Sequence, residues 1–318
     1  MRKSSAPVRV LERQRGVALI TAVLIVALAT ILATKIGFDS ALEQRRSAGI
    51  LLLDQALQVG LGAEAWAASY LRDDAANSQD DHPGERWATP IPPIPIDGGQ
   101  IEGQLEDASG KFNLNALIDS DGRQNPEGVR EFKQLLAILE LEPKWADVLT
   151  DWLDVDTTPL PEGGEDSLYL SQAPPYRPPN LPITSVSELL AFPEFGLERY
   201  QKLRPYVTAL PVGTPVNTCT ASGAVLDALG DGSIQYSILP PDTLAKQRES
   251  GCFPTRDEVL QNISDPLKQE VQKRLAMKSD FFALRTFITI GTSEFSLYSL
   301  LHRDHGQVRP IMRNFGAD

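Results

Sequence analysis

The 318-residue sequence predicts an α+β protein: a long N-terminal helix, a small antiparallel sheet, and a large all-α domain inserted between the strands of that sheet. Three observations carry this reading. Helical periodicity runs from Val17 to about Leu71. Alternating apolar and polar segments stand at 99–107 and beyond Phe281. The long stretch between them repeats its apolar residues at helical spacing.

The N-terminus comes first. Arg2, Lys3, Arg9, Arg13 and Arg15 face a single acid, Glu12, ahead of eighteen uncharged residues from Val17 to Thr34, closed by Lys35. At about 1.5 Å per residue such a helix spans roughly 27 Å, close to the hydrocarbon thickness of a bilayer. Its basic flank is expected on the cytoplasmic side. A cleaved secretory signal is one reading, with Ala27-Leu28-Ala29 or Ala33 as small-residue sites. The run is longer than such signals use, and those sites lie inside it. A plain uncleaved anchor is a second. The third is a prepilin-type leader, cut between Gly16 and Val17, so that the whole apolar run stays in the mature chain. The glycine at the basic–apolar junction favours the third.

Beyond Lys35, Ile36, Leu42, Ile50, Leu53, Leu57, Leu61, Ala65 and Ala68 continue the helix, with Gly37, Gly49, Gly60 and Gly62 as expected bends. Asn77–Gly84 and the proline run from Pro90 to Pro95 read as an irregular connector. Gly99–Asp107 reads as a strand. Phe281–Ile290, Glu294–Leu301 and Gln307–Phe315 read as three more, joined at Gly291-Thr292-Ser293 and His305-Gly306. Helices are expected at Val129–Leu141, Trp145–Leu153, Ser185–Phe192, Leu197–Leu203, Ala221–Leu229, Asp242–Gln247, Arg256–Asn262 and Pro266–Met277. Ser185 before Glu188 and Thr255 before Glu258 supply capping signals.

Net charge is −12, and the leader holds five basic residues against one acid, so residues 17–318 alone carry −16. A body that acidic repels nucleic acid. The two cysteines, Cys219 and Cys252, suit one disulfide in an oxidising periplasm, two buried free thiols being the alternative. No GxSxG, HExxH or CxxC occurs, and the histidines are His82, His302 and His305, so nothing indicates an enzyme.

An acid cluster carries the remaining chemistry. Asp151, Asp154 and Asp156, with Glu165 and Asp166 past Pro161-Glu162-Gly163-Gly164, supply hard oxygen ligands within sixteen residues. Calcium takes six to eight oxygens at about 2.3–2.6 Å and suits such a loop. The spacing is not that of an EF-hand, because no glycine follows Asp156. A solvated acidic helix end and loop is the bland alternative. Asp119-Ser120-Asp121-Gly122, with Asn125 beyond, forms a second group that reads first as a turn. Ser185–Tyr206, with Phe195-Gly196 at its centre, has the look of a helix-hairpin-helix. On an acidic body it reads as a packing motif.

Over almost its whole length the chain resembles the K-type minor pseudopilins of bacterial type II secretion systems. The resemblance rests on RGVALITAVLIVAL at 15–28, EDASGKFNLNAL at 106–117, DWLDVDTTPLPEGGEDSLYLS at 151–171, SVSELLAF at 185–192 and RPYVTALPVGTPVNTCTA at 204–221. It implies a pilin-like αβ body with a large all-α insertion, calcium in that insertion, and assembly with other minor pseudopilins (I and J type) at the tip of a periplasmic pseudopilus. A prepilin peptidase and an inner-membrane secretion platform follow as partners. The implied location is the inner membrane, single pass, with the bulk in the periplasm. The expected organisation is a leader at 1–16, a transmembrane segment at 17–34, and a periplasmic helix half, connector and first strand at 35–112. The inserted domain takes 113–278 and the closing strands 279–318.

Most pilin-like subunits carry glutamate at the fifth mature position, which here is Thr21. In the fibre that carboxylate pairs with the terminal amine of an adjacent subunit, and unpaired it is costly in lipid. A subunit with nothing ahead of it avoids the cost by lacking the acid, so Thr21 points to the tip. Without the resemblance, Thr21 is an ordinary residue of a membrane helix. The competing function is a single-pass anchored calcium-binding domain that recruits secreted substrates.

Overall fold

The computed structural model describes residues 15–230, 235–261 and 263–316, so most of the expected leader lies outside the described residues. Two compact units divide at Gln55/Ala56.

The first unit is the leading part of helix α1 (Arg15–Asn77). The helix runs uninterrupted through Gly37, Gly49, Gly60 and Gly62 and reaches beyond the expected Leu71. It contains a window of mean hydropathy 2.7, long and apolar enough to cross a membrane. The side chains from Val17 to Ile36 are exposed within the protein.

The second unit holds the sheet and the insertion. Strand β1 (Ile91–Ile96) falls in the proline run expected to be an irregular connector. It stands at the sheet edge, the place where a strand tolerates residues without an amide hydrogen, and a register shift between Ile91 and Ile94 accommodates them. Strand β2 (Gly99–Asp107) follows where expected. The chain then leaves the sheet after Asp107.

The insertion starts with β3 (Phe112–Asn113) and holds α2 (Pro126–Ile138), α3 (Lys144–Leu153), α4 (Asp166–Leu170) and α5 (Gly196–Leu203). It continues through β4 (Val207–Thr208), β5 (Val216–Asn217), α6 (Gly223–Leu229), α7 (Pro241–Arg248), α8 (Arg256–Gln261), α9 (Asp265–Lys273) and β6 (Leu275–Ala276). Two short parallel ladders, β3 with β4 and β5 with β6, thread this otherwise helical body. The insertion differs from expectation in several places, α2 among them, which runs Pro126–Ile138 rather than Val129–Leu141. Val186–Ala191 is a 3-10 helix, α4 has no counterpart in the periodicity, and the last helix stops at Lys273 because Leu275 and Ala276 pair with β5. Both capping signals are real. Ser185 and Glu188 form a reciprocal capping box. Thr255 and Glu258 exchange the equivalent bonds, with Glu258 N donating to Thr255 Oγ1 at 3.3 Å and Thr255 N to Glu258 Oε2 at 2.7 Å.

The chain rejoins the sheet at β7 (Phe281–Ile290), then turns through β8 (Ser293–Asp304) into β9 (Gln307–Phe315). The order is β1-β2-β7-β8-β9, antiparallel throughout, with Asp107 opposite Phe282. One face of the sheet packs Leu105, Phe282, Leu284, Leu301 and Val308 against Ala67, Ala68 and Leu71 of α1 and against Trp87. Small residues set the approach. A Cβ on Gly60 would meet Leu297 Cδ2 at 2.8 Å, so any larger residue there would force the leucine to shift. Glu64, buried in α1, accepts from Arg313 of β9 through both oxygens, at 2.8 and 2.6 Å, and from Ser299 Oγ at 2.9 Å. The insertion has its own, larger core around Phe112, Phe132, Leu149, Trp152, Tyr169 and Phe195.

Candidate metal centre

Helix α3 places Asp147 and Asp151 one turn apart and ends at Asp154, whose extended backbone (ψ 163°) stops the helix. Asp151 and Asp154 therefore sit at the negative end of the helix dipole, where acids are unfavourable and cations are favoured. Lys133 takes up Asp147 at 2.6 Å. The loop that follows folds back over α3. Leu160 N donates to Asp151 Oδ1 and Oδ2 at 3.2 and 3.0 Å. Gly163 passes so close that a Cβ there would stand 2.1 Å from Asp151 Oδ2. Asp151 is thus the post around which the loop turns, and the loop returns Glu165 to the position ahead of α4.

The result is a group of three. Asp154, Asp156 and Glu165 each offer a carboxylate oxygen, and these lie within 4.8 Å of one another. Asp154 and Glu165 are buried while Asp156 is exposed. Among the described residues, Asp154 Oδ1 and Glu165 Oε1 are buried without a hydrogen-bond partner. Burial raises the Asp154 carboxyl to about 6, and the charges of Asp156 and Asp151 add to it. Burial raises Glu165 to about 7, reinforced by Asp151, Asp154, Asp156 and Asp166. Asp151 is raised to about 6 by burial, held back by the Leu160 and Gly164 amides. Two orphaned carboxylate oxygens facing like charges, at a helix C-terminus, fit a hard divalent cation. Buried orphan acceptors cost about 1–3 kcal/mol each, and a cation bound there would remove that cost.

The other sequence candidates fall elsewhere. Asp166 stands outside the group of three and pairs with Arg177 at 3.0 Å. Asp119 Oδ1 accepts from the amides of Asp121 and Arg123, at 2.8 and 2.9 Å, which makes that segment a turn. Ser185–Tyr206 buries Leu189, Phe192, Phe195, Tyr200 and Leu203 in the insertion core, consistent with packing. Thr21 Oγ1 donates to Ala18 O at 3.0 Å, turning its hydroxyl back onto the helix. Gly16 and Val17 lie within α1. Cys219 and Cys252 are joined as a disulfide.

Sequence reasoning passed over Asp74, Asp81 and Glu85, and Asp80 with His82 and Glu85, which also form close groups. The run Asp80-Asp81-His82 was their signal. Arg303 pairs with Asp74 and Asp81, and Glu85 accepts from Trp87 Nε1 at 2.7 Å, so Asp74, Asp81 and Glu85 are engaged within the fold.

The family model for Type II secretion system (T2SS), protein K matches residues 110–212, the stretch holding this centre. Type II secretion system protein K of Pseudomonas aeruginosa (strain PAO1) is 34% identical, covering 95% of this chain and 93% of that protein. The same protein of Pectobacterium carotovorum subsp. carotovorum is 33% identical over 96% of this chain and 98% of its own. Among solved structures, a chain in the crystal structure of the GspK-GspI-GspJ complex from enterotoxigenic Escherichia coli aligns with TM-score 0.75 at 27% identity. That match covers 86% of this chain and 100% of the other. With full-length similarity, the helix-plus-sheet body and the large insertion all in agreement, the chain belongs to the type II secretion system protein K family.

Proposed function

We propose that this chain is a minor pseudopilin at the tip of the type II secretion pseudopilus, initiating its assembly with the I- and J-type subunits in support of protein export. The observation that carries it is the likeness, over the whole solved chain, to a subunit crystallised in a GspK-GspI-GspJ complex. Two features support the tip. Thr21 leaves no buried acid needing a partner ahead of it, and its hydroxyl is satisfied by its own helix. The insertion, from Asp107 to Phe281, supplies bulk that would obstruct a subunit stacked above. The apolar window of α1 serves as the inner-membrane anchor, matured by a prepilin peptidase between Gly16 and Val17, with the bulk in the periplasm beside the secretion platform.

Calcium completes the reading. Asp154, Asp156 and Glu165 would hold it, with Asp151 fixing the loop that brings Glu165 in. Bound calcium supplies the positive charge that lets these acids stay ionised together.

The test is co-purification of the full chain, in detergent, with the I- and J-type pseudopilins of the same cell. A defined low-order complex that does not polymerise is expected. Labelling that places the chain at regular intervals along fibres would overturn the tip assignment. Capture of exported substrates without pseudopilins would favour the anchored calcium-binding receptor instead.

A further inference from the structure

The motif segment at 151–171 holds one polar group, the Tyr169 hydroxyl, that neither the core packing nor the metal reading uses. Tyr169 is fully buried, and among the described residues its hydroxyl has no hydrogen-bond partner. Phenols that deep are nearly always paired, because an unpartnered hydroxyl in a core loses its water for nothing. Packing does not explain it, since phenylalanine would fill the same space.

Its surroundings indicate what the hydroxyl is for. Tyr169 follows Glu165 by four residues: Glu165 is the extended residue that precedes α4, and Tyr169 is carried by α4 itself. The ring is fixed edge-on against Trp152 at 5.1 Å, and Trp152 is the neighbour of Asp151. Tyr176 holds its other side at 5.4 Å. Burial pushes the phenol above its usual range, and the charges of Tyr176, Asp151 and Glu165 push it further, which places it in the electrostatic reach of the centre. The two buried acids of the centre meanwhile carry orphaned oxygens, Glu165 Oε1 and Asp154 Oδ1. A buried donor without an acceptor, the Tyr169 hydroxyl, and a buried acceptor without a donor, Glu165 Oε1, thus stand four residues apart at the start of α4.

We propose that Tyr169 is a positioning residue of the metal centre: its hydroxyl donates to Glu165 Oε1 once a cation fixes that carboxylate. It rests on the calcium reading above. Without the ion, repulsion among Asp151, Asp154, Asp156 and Glu165 opposes drawing the glutamate inward, and the hydroxyl stays unsatisfied. With the ion, Glu165 is held by the metal through one oxygen and by Tyr169 through the other. The aromatic group of Trp152, Tyr169, Tyr176 and Phe192 then senses occupancy, because its central ring is bonded to a ligand.

Tyr169→Phe tests this, because it deletes the hydroxyl and keeps the ring. Two readouts should move in opposite directions. Calcium affinity of the full chain in detergent, measured by calorimetry with calcium chloride as titrant, should fall about 10-fold or more, the range for outer partners of metal ligands. The melting temperature in chelator should stay level or rise, since an unpaired buried hydroxyl has been removed. Unchanged affinity would overturn the proposal. So would a lower melting temperature in chelator, which marks a hydroxyl already bonded in the ion-free fold. If the wild-type chain takes up no calcium, the calcium reading itself fails, and that outcome is visible before the variant is made.

Discussion

Asn217 Nδ2 donates to Asp107 Oδ2 at 2.9 Å across 110 positions of sequence, with both residues buried. Asp107 is the last residue of β2, where the insertion leaves the sheet, and Ser279, just before the chain returns at β7, donates to the same oxygen at 2.6 Å. Thr220 adds a third donor. Ser279 N meanwhile donates to Asp81 Oδ2 at 2.6 Å, and Arg303 pairs with Asp81. One polar knot therefore fastens the entry and exit of the insertion to the connector after α1. Asn217 also accepts from Cys219 N at 3.0 Å, so the disulfide loop is tied into it. Asn217→Ala should cost about 3 kcal/mol in denaturant unfolding, because the Asp81 carbonyl and the Cys219 amide lose their bonds to its side chain and Asp107 loses one of its donors at once. A loss under about 0.5 kcal/mol, the level of an ordinary surface change, would show that water replaces the amide.

The same knot predicts a pH dependence. Burial raises Asp107 to about 6, although the bonds from Ser279, Thr220, Asn217 and Ser109 pull it down. Its unfolded value is about 3.9. Between those values the folded state binds a proton that the unfolded state does not, so stability rises as pH falls from about 7 to about 4. Glu131, raised by burial to about 7 despite Arg274, acts in the same direction. Melting temperature in the presence of chelator should therefore increase on mild acidification, and Asp107→Asn should flatten part of the slope. A wild-type curve that only falls below pH 7 would contradict the buried, costly carboxylate.

Calcium should act on the full chain through binding to the folded form alone. At free calcium a hundredfold above the dissociation constant this contributes about 2.7 kcal/mol, lost on chelation as a lower melting temperature. Asp154→Ala with Asp156→Ala should remove the sensitivity. Magnesium should substitute poorly, since a small octahedral ion cannot use so many ligands. A melting curve indifferent to chelator, with no calcium in the purified protein, would leave only an acidic loop.

The disulfide closes a 34-residue loop that includes the whole of α6 and of α7. In the chain-entropy model its loss destabilises by roughly 4 kcal/mol. The full chain, extracted in detergent and denatured, should resist alkylation at Cys219 and Cys252 until reductant is added, and ready alkylation of both would disprove the bond in the cell.

Mass analysis of the membrane-extracted chain should find its N-terminus at Val17. A start at Met1, or near Thr30, would mean a plain anchor or an ordinary signal.

Much of this architecture was legible because burial leaves a periodic trace. The apolar start of α1 is exposed all round, the rest of α1, β2 and β7 to β9 each bury one face, and their apolar spacing says so. Capping pairs are local, so Ser185 with Glu188 and Thr255 with Glu258 were readable too. What escaped has no period. Ile91–Ile96 pairs despite its prolines, and Leu275–Ala276 is a strand only because Val216–Asn217 lies beside it. Within the acid cluster, composition named the five carboxylates. It did not reveal that Asp151 anchors a loop, that Asp166 pairs with Arg177, or that Gly163 is needed for the backbone to pass Asp151. Those roles depend on where a long loop returns, which is set by contacts distant in sequence.

The prolines of β1 have one further consequence. Pro92, Pro93 and Pro95 lack the amide hydrogen through which an incoming strand would register, so that margin of the sheet is a poor template for another chain. A subunit whose neighbours share its fold risks zipping edge to edge with them in the wrong order. Here that route is blocked in the covalent structure itself, at no cost in surface charge, and association is left to surfaces other than that rim.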